Sequence, residues 1–135
     1  MCIRDREDID GLSLMPMLSG EGSNDRDELY FHYPHNHHLG FKPAGAIRMG
    51  DYKLIEWFEG TVGGKGRKYS LFNLETDLDE SDDLTAEMPA LVEEMAAKLR
   101  AWRKRVGAGE MTVNPNYDMT RAHWRFEDSQ GGDSK

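Results

Sequence analysis

The sequence predicts an α+β fold, a small antiparallel β-sheet packed on one long C-terminal helix, and three observations carry that reading. Two β-favouring runs, Ala46-Ile47-Arg48-Met49 and Tyr52 to Phe58, flank Gly50-Asp51, a two-residue turn of the kind that closes hairpins. Lys68 to Leu74 alternates well enough to supply a further strand. Met88, Val92, Met95, Leu99, Trp102 and Val106 recur at spacings of four and three, which lays one apolar stripe along a helix able to cover a sheet face.

From the start, Glu7 to Asp27 is loop-like, with one apolar patch, Leu12 to Leu18, that suits a short helical turn packing on something outside it. Leu29 to Tyr33 mixes aromatics with an imidazole and reads as a strand that ends at Pro34, whose ring removes a ladder donor. The fourth member of the sheet is this strand or a neighbour from a missing domain. His35 to Gly45 gathers histidines, Lys42, glycines and Pro43 on irregular backbone, where binding groups concentrate. After the hairpin, Glu59 to Arg67 is a glycine-rich loop with too few anchoring side chains to order itself. Glu75 to Glu94 carries nine carboxylates and no Lys or Arg, so its first half is a solvated acidic connector. The helix then begins near Pro89, places Arg103, Lys104 and Arg105 in its last turn and stops at Gly107. The sequence therefore divides into a loop-like segment over 1–28, a sheet-plus-helix unit over 29–109 and an irregular tail over 110–135, in which Trp124 and Phe126 can pack and 128–135 is expected to be disordered.

At 135 residues the chain can hold one modest core. A net charge of −8 argues against non-specific nucleic-acid binding. No apolar run is long enough for a membrane span, and the charged opening MCIRDREDID is no signal peptide. The single cysteine, Cys2, has no partner for an intrachain disulfide. Met1 to Arg6 reads like a translated sequencing-adapter remnant, an artificial N-terminus.

Among candidate sites, His32, His35, His37 and His38 invite a metal reading, but i, i+3 across a proline followed by adjacent histidines is no standard ligand spacing. Exposed histidines without a role are the plainer reading. A third suits the residue types best: His32 and His35 donate hydrogen bonds to an anionic ester, with a charge that varies across neutral pH. Lys42 could meet an anionic oxygen as a point charge, though a solvated loop lysine is an equal reading. Asp77-x-Asp79-x-Ser81-x-Asp83 imitates a calcium loop but has Asp82 and Met88 where an EF-hand wants Gly and Glu. Gly63 to Lys68 joins two strands and lacks P-loop spacing.

The order of FHYPH, the Gly/Pro spacer, AGAIRMGDYKLIEW, YSLFNLETDLDESDDL and a helix ending in KLRAWRKRVG resembles the C-terminal region of the sulfatase family, in the branch close to arylsulfatases and N-acetylgalactosamine-6-sulfatases. The opening DIDGLSLMPMLSGE and the closing Asn114-Pro115-Asn116-Tyr117 are similar to the same region, so the likeness spans roughly Asp8 to Tyr117. It implies the C-terminal subdomain of an alkaline-phosphatase-like sulfatase, with His32 and His35 at the rim of a substrate cleft and weaker support for Lys42, His37 and His38. It implies a parent that hydrolyses a sulfated carbohydrate or aryl sulfate, is exported to the periplasm or cell exterior, and uses calcium and a formylglycine made from the cysteine of a C-x-[PA]-x-R motif. Cys2 to Arg6 departs from that motif at Arg4, so the nucleophile and the clustered calcium ligands belong to a missing N-terminal sulfatase domain, and the chain alone is expected to be inactive. Arg48 and Lys53 match the family's I-R-x-G-x-x-K-L pattern and are expected in structural salt bridges. The competing reading is a non-catalytic α+β module that binds a glycan or a protein.

Overall fold

The computed structural model of the chain describes residues 11–22, 26–36 and 40–116. His37, His38, Cys2, Tyr117, Trp124, Phe126 and the 128–135 end lie outside the described residues. Four strands, β1 (Glu28–Tyr33), β2 (Ala44–Met49), β3 (Tyr52–Trp57) and β4 (Tyr69–Asn73), form one antiparallel sheet in the order β1-β2-β3-β4. Leu29 to Tyr33 is thus a member of this sheet. The short helices α1 (Met15–Leu18) and α2 (Phe58–Thr61) sit in the connections, and α3 (Pro89–Val106) closes one face of the sheet. The predicted α+β architecture is the one observed.

The register explains the core. Tyr30, Ile47, Leu54 and Leu71 are paired in succession across the four strands, and alternation sends all four side chains to the same face. There they meet Val92, Met95, Ala96 and Leu99 of α3, with Ile47, Leu54, Leu71, Met95 and Leu99 fully buried. The helix stripe matches its prediction through Trp102, whose ring stacks on Tyr30 with centroids 5.0 Å apart. Val106, expected to continue the stripe, is instead 52% exposed, because the sheet ends before the last helical turn does. Gly107, at φ 63°, adopts the left-handed conformation that stops the helix, and the N–H groups of Gly107 and Ala108 close back on Lys104 and Arg103.

The turn at Gly50-Asp51 is the two-residue hairpin expected, with Met49 facing Tyr52 and Gly50 at φ 57°. The glycine-rich loop departs from expectation. Its first residues form α2, and a Cβ on Gly60 would lie 2.1 Å from the Arg67 carbonyl oxygen, so the loop is ordered by backbone packed against backbone. The acidic connector is also folded on itself. The Asp77 carboxylate accepts from the N–H groups of Ser81 and Asp82, and Asp83 accepts from the Leu71 and Thr85 N–H groups and from the Thr85 hydroxyl. Burial alone would push the Asp83 carboxyl up, but those hydrogen bonds and the Arg67 guanidinium outweigh it and hold it below the usual range. Leu12, Leu14, Met15, Met17 and Leu18 are all exposed, with α1 packing none of its residues into the core.

At the start of β1 the Glu28 carboxylate accepts hydrogen bonds from the Tyr30 hydroxyl and the Lys98 ammonium, which ties α3 to the sheet edge. Burial, and then the bond to Glu28, push the Tyr30 phenol from 10.0 up to about 12. A phenol raised on folding contributes stability that is whole below the unfolded value and is lost as pH rises through the folded one. We therefore expect urea midpoints to fall between about pH 10 and about pH 12, and Tyr30→Phe to remove part of that slope, the rest belonging to the Tyr69 phenol and the Lys98 ammonium, which are also held above their usual values. An unchanged slope in the variant would refute the assignment.

Candidate functional site

One end of the sheet breaks the apolar pattern. His32, Gly45, Glu56 and Tyr69 are paired across the strands on the face turned to α3, so an imidazole and a carboxylate point toward the helix where the next row presents Tyr30, Ile47, Leu54 and Leu71. The carboxylate is met by Arg103, whose Nη2 lies 2.7 Å from Glu56 Oε2 with side-chain exposures of 12% and 6%. Gly45 makes this meeting possible. A Cβ there would lie 3.2 Å from Arg103 Nη1 and 3.3 Å from the Phe58 ring, so the guanidinium occupies the space a side chain would fill. It also lies 5.2 Å from the centroid of Phe58, a cation–π contact.

The pair is an ion pair by distance more than a well-aligned hydrogen bond. Among the described residues, Glu56 Oε2 and Arg103 Nη1 are both buried with no hydrogen-bond partner, as is His32 Nδ1. His32 Nε2 is 2.7 Å from the Gly109 carbonyl oxygen. Since a carbonyl only accepts, Nε2 carries the proton and donates it, fixing the segment after α3 against the end of β1. Phe58 packs edge-on against the same imidazole, with centroids 5.4 Å apart. His32, Glu56, Phe58, Arg100, Arg103 and Met111 are among the residues lining a cavity of about 510 Å³.

The three predicted site residues are separated by this arrangement. His32 turns inward and lines the cavity. His35, two residues beyond the strand end, is exposed and packs its ring edge-on against Tyr33 at 5.7 Å. Lys42 is on the surface, with Nζ 2.9 Å from Glu59. Neither His35 nor Lys42 lines the cavity around His32. Of the two residues expected in salt bridges, Lys53 is paired with Glu80 at 2.5 Å, whereas Arg48 donates from Nε to the Gly50 carbonyl at 3.2 Å and lies exposed at the hairpin end. Among the described residues no group of three or more His, Cys, Asp or Glu side chains is placed to hold a metal ion.

Sequence reasoning passed over the Glu56–Arg103 pair, though its signal was present. Glu56 is in phase with Tyr52 and Leu54 on a strand whose other face carries Ile55 and Trp57, and Arg103 follows Leu99 by four along the helix stripe. An acid and a base that fall on two facing apolar positions are candidates to meet each other.

Comparison with known proteins follows from this geometry. A family model described as N-sulphoglucosamine sulphohydrolase, C-terminal, matches residues 2–105. A protein named sulfatase from Formosa agariphila is 32% identical, the match covering 71% of this chain and 18% of that protein. Among solved structures, BT4656 in complex with its substrate D-glucosamine-2-N,6-O-disulfate is similar at a TM-score of 0.60 and 25% identity, over 78% of this chain and 22% of the other. BT1596, a 2-O GAG sulfatase, is similar at a TM-score of 0.61 and 19% identity, over 82% and 24%. At that identity the second likeness is one of fold. The chain thus spans 18% to 24% of the length of these relatives.

Removing Arg103 leaves the Glu56 carboxylate buried and unpaired, so Arg103→Ala should cost about 3–5 kcal/mol in urea unfolding. The double variant Glu56→Gln, Arg103→Met, which withdraws both charges, should recover most of that loss. Equal losses in the single and double variants would mean that packing, and not the pair, holds this end of the sheet.

Proposed function

Since the chain belongs to the N-sulphoglucosamine sulphohydrolase C-terminal family, we propose that it is the C-terminal subdomain of a sulfatase-like hydrolase that cleaves a sulfate ester on a sugar. Its own part is to present side chains to the substrate. The family match across residues 2–105 carries this reading, and the D-glucosamine-2-N,6-O-disulfate bound by a relative of the same fold supports the choice of a sulfated sugar.

We assign the sugar contact first to His35, which is exposed and stands just past the strand end that Pro34 terminates. A protonated imidazole there donates a charge-assisted hydrogen bond to a sulfate oxygen. Lys42 is the second contact. Its pairing with Glu59 is a surface one, with side-chain exposures of 62% and 45%, and such pairs are worth about 0–1 kcal/mol, so an arriving sulfate can replace the carboxylate at little cost. His32 enters the same reading as the residue that fixes the end of β1, through its bond to Gly109, and thereby the direction in which His35 leaves the sheet.

The described residues do not fit calcium, because no cluster of acidic or imidazole ligands is assembled among them. We therefore place the calcium ion and the formylglycine of this family in a larger N-terminal domain. Chemistry at sulfur belongs there, while this chain binds and orients the sugar. Sequencing the source DNA upstream of Met1 tests the reading at its base: an in-frame C-x-[PA]-x-R motif supports it, and a stop codon with a genuine start signal overturns it.

In the intact enzyme, His35→Ala should raise KM for a sulfated glucosamine about tenfold or more with kcat nearly unchanged, the loss of a hydrogen bond to a charged group being worth about 1.5–3 kcal/mol. An unaltered KM would remove His35 from the site. The 135-residue chain by itself should release no sulfate.

A further inference from the structure

The two faces of the sheet are unequal. The face toward α3 is closed, whereas among the described residues the other is covered only along its β4 side, where Ser70 and Phe72 are buried and the Lys53–Glu80 and Arg67–Asp83 pairs hold the acidic connector against the strands. Over β1 it is exposed at Phe31 and Tyr33, and on β2 and β3 the outward Ala44, Ala46, Ile55 and Trp57 are half-buried. Alternation and register place Tyr33, Ala44 and Trp57 in one outward row and Phe31, Ala46 and Ile55 in the next. Phe31 is 57% exposed and Tyr33 43% exposed. The two alanines on the central strand stand between larger side chains on both sides. This makes a trough along β2, floored by Ala44 and Ala46 and walled by Phe31 and Tyr33 on one side and Ile55 and Trp57 on the other. The charged outward residues, Arg48 and Lys53, are at the hairpin end. The opposite end of the trough borders His35, whose ring touches Tyr33.

We propose that this trough is the seat of the larger domain of the sulfatase, which lays an apolar ridge along β2 between the aromatic walls. The proposal rests on the reading of the chain as a sulfatase subdomain and adds to it which surface makes the junction. Three observations favour that occupant. The chain covers only 22% and 24% of the solved sulfatase-fold chains that share its sheet, so in them the same sheet is part of a much larger body. An apolar surface containing two exposed aromatics is costly to leave in water. The trough is also placed so that filling it brings His35 to the seam between the two bodies, where a ligand contacting both would lie. A ridge-in-trough junction fixes the subdomain in translation across β2 as well as in orientation, which a flat contact does not.

The test uses the full-length enzyme with a photo-crosslinking amino acid carried at position 31 or, on the solvent side of α3, at position 94. Crosslinks from position 31 to sequence N-terminal of this chain, with none from position 94, are expected. Crosslinks from position 94 with none from position 31 would overturn the assignment of the face, and a crosslink between position 31 of two copies would make the occupant a second copy of the chain. Absence of sulfatase sequence upstream of Met1 would show in the DNA before any crosslink is attempted, so failure of the underlying reading is separable from failure of the surface.

Discussion

The close approach of α3 to the sheet at Gly45 is the constraint on which the rest depends. A helix laid across four strands normally stands off by the length of the side chains between them, and along most of its length α3 does so on Leu54, Leu71 and Ile47. At Gly45 the sheet has no side chain, and Arg103 fills the space with a guanidinium that reaches Glu56 and Phe58 together. A Cβ at 45 would meet Arg103 Nη1 at 3.2 Å and the Phe58 ring at 3.3 Å, so the glycine leaves the room that the guanidinium uses to reach Glu56. Moving the helix outward would unpair Glu56 in a site where it is 4% exposed, and an unpaired buried carboxylate costs more than the pair contributes.

From that seam the segment after α3 gains its place. Gly107 turns the chain back, Ala108 donates to the Arg103 carbonyl, and Gly109 receives the His32 imidazole. The end of β1, the last turn of α3 and the residues that follow are thus tied at one point, with Phe58 packed against both the imidazole and the guanidinium. On the far side the acidic connector does the complementary job. Asp83 reaches the Leu71 N–H and Arg67, and the Leu84 N–H bonds the Leu71 carbonyl, so β4 is capped by backbone and carboxylate instead of by a fifth strand. Its nine acidic residues over 75–94 looked like solvated surplus, and two of them are structural anchors.

Most of the fold was legible because its signals are periodic. The hairpin rested on a turn whose glycine needs positive φ, and the helix on a stripe of six apolar residues, five of which the sheet covers at least in part. What was not legible depended on distance between segments far apart in sequence. The order of the Glu59 to Arg67 loop comes from Gly60 lying against the Arg67 carbonyl, a contact that composition does not reveal. Val106 is in phase with the stripe but past the sheet, and phase says nothing about where the opposing surface ends. Arg48 and Lys53 flank the same hairpin, yet among the described residues only Lys53 finds a carboxylate, because Glu80 comes to it from the connector.

The histidine stretch shows how alternation sorts residues that composition lumps together. His32 and Tyr33 are neighbours on a strand and must face opposite ways. Because Tyr30 faces the helix, His32 does too, and its imidazole is spent on a carbonyl at the end of α3. Pro34 then ends the ladder, freeing His35 from the alternation that captured its predecessor, and His35 emerges beside Tyr33 at the open face. Two histidines that read from sequence as equal partners in anion binding are thus placed differently: one is bonded to the Gly109 carbonyl, and the other stands exposed beside Tyr33. The proposed sugar contact draws on both placements, since a donor on a mobile loop must be ordered when the ligand binds, at about 1–2 kcal/mol per residue, and a donor two residues past an anchored strand is held closer to its place before the ligand arrives.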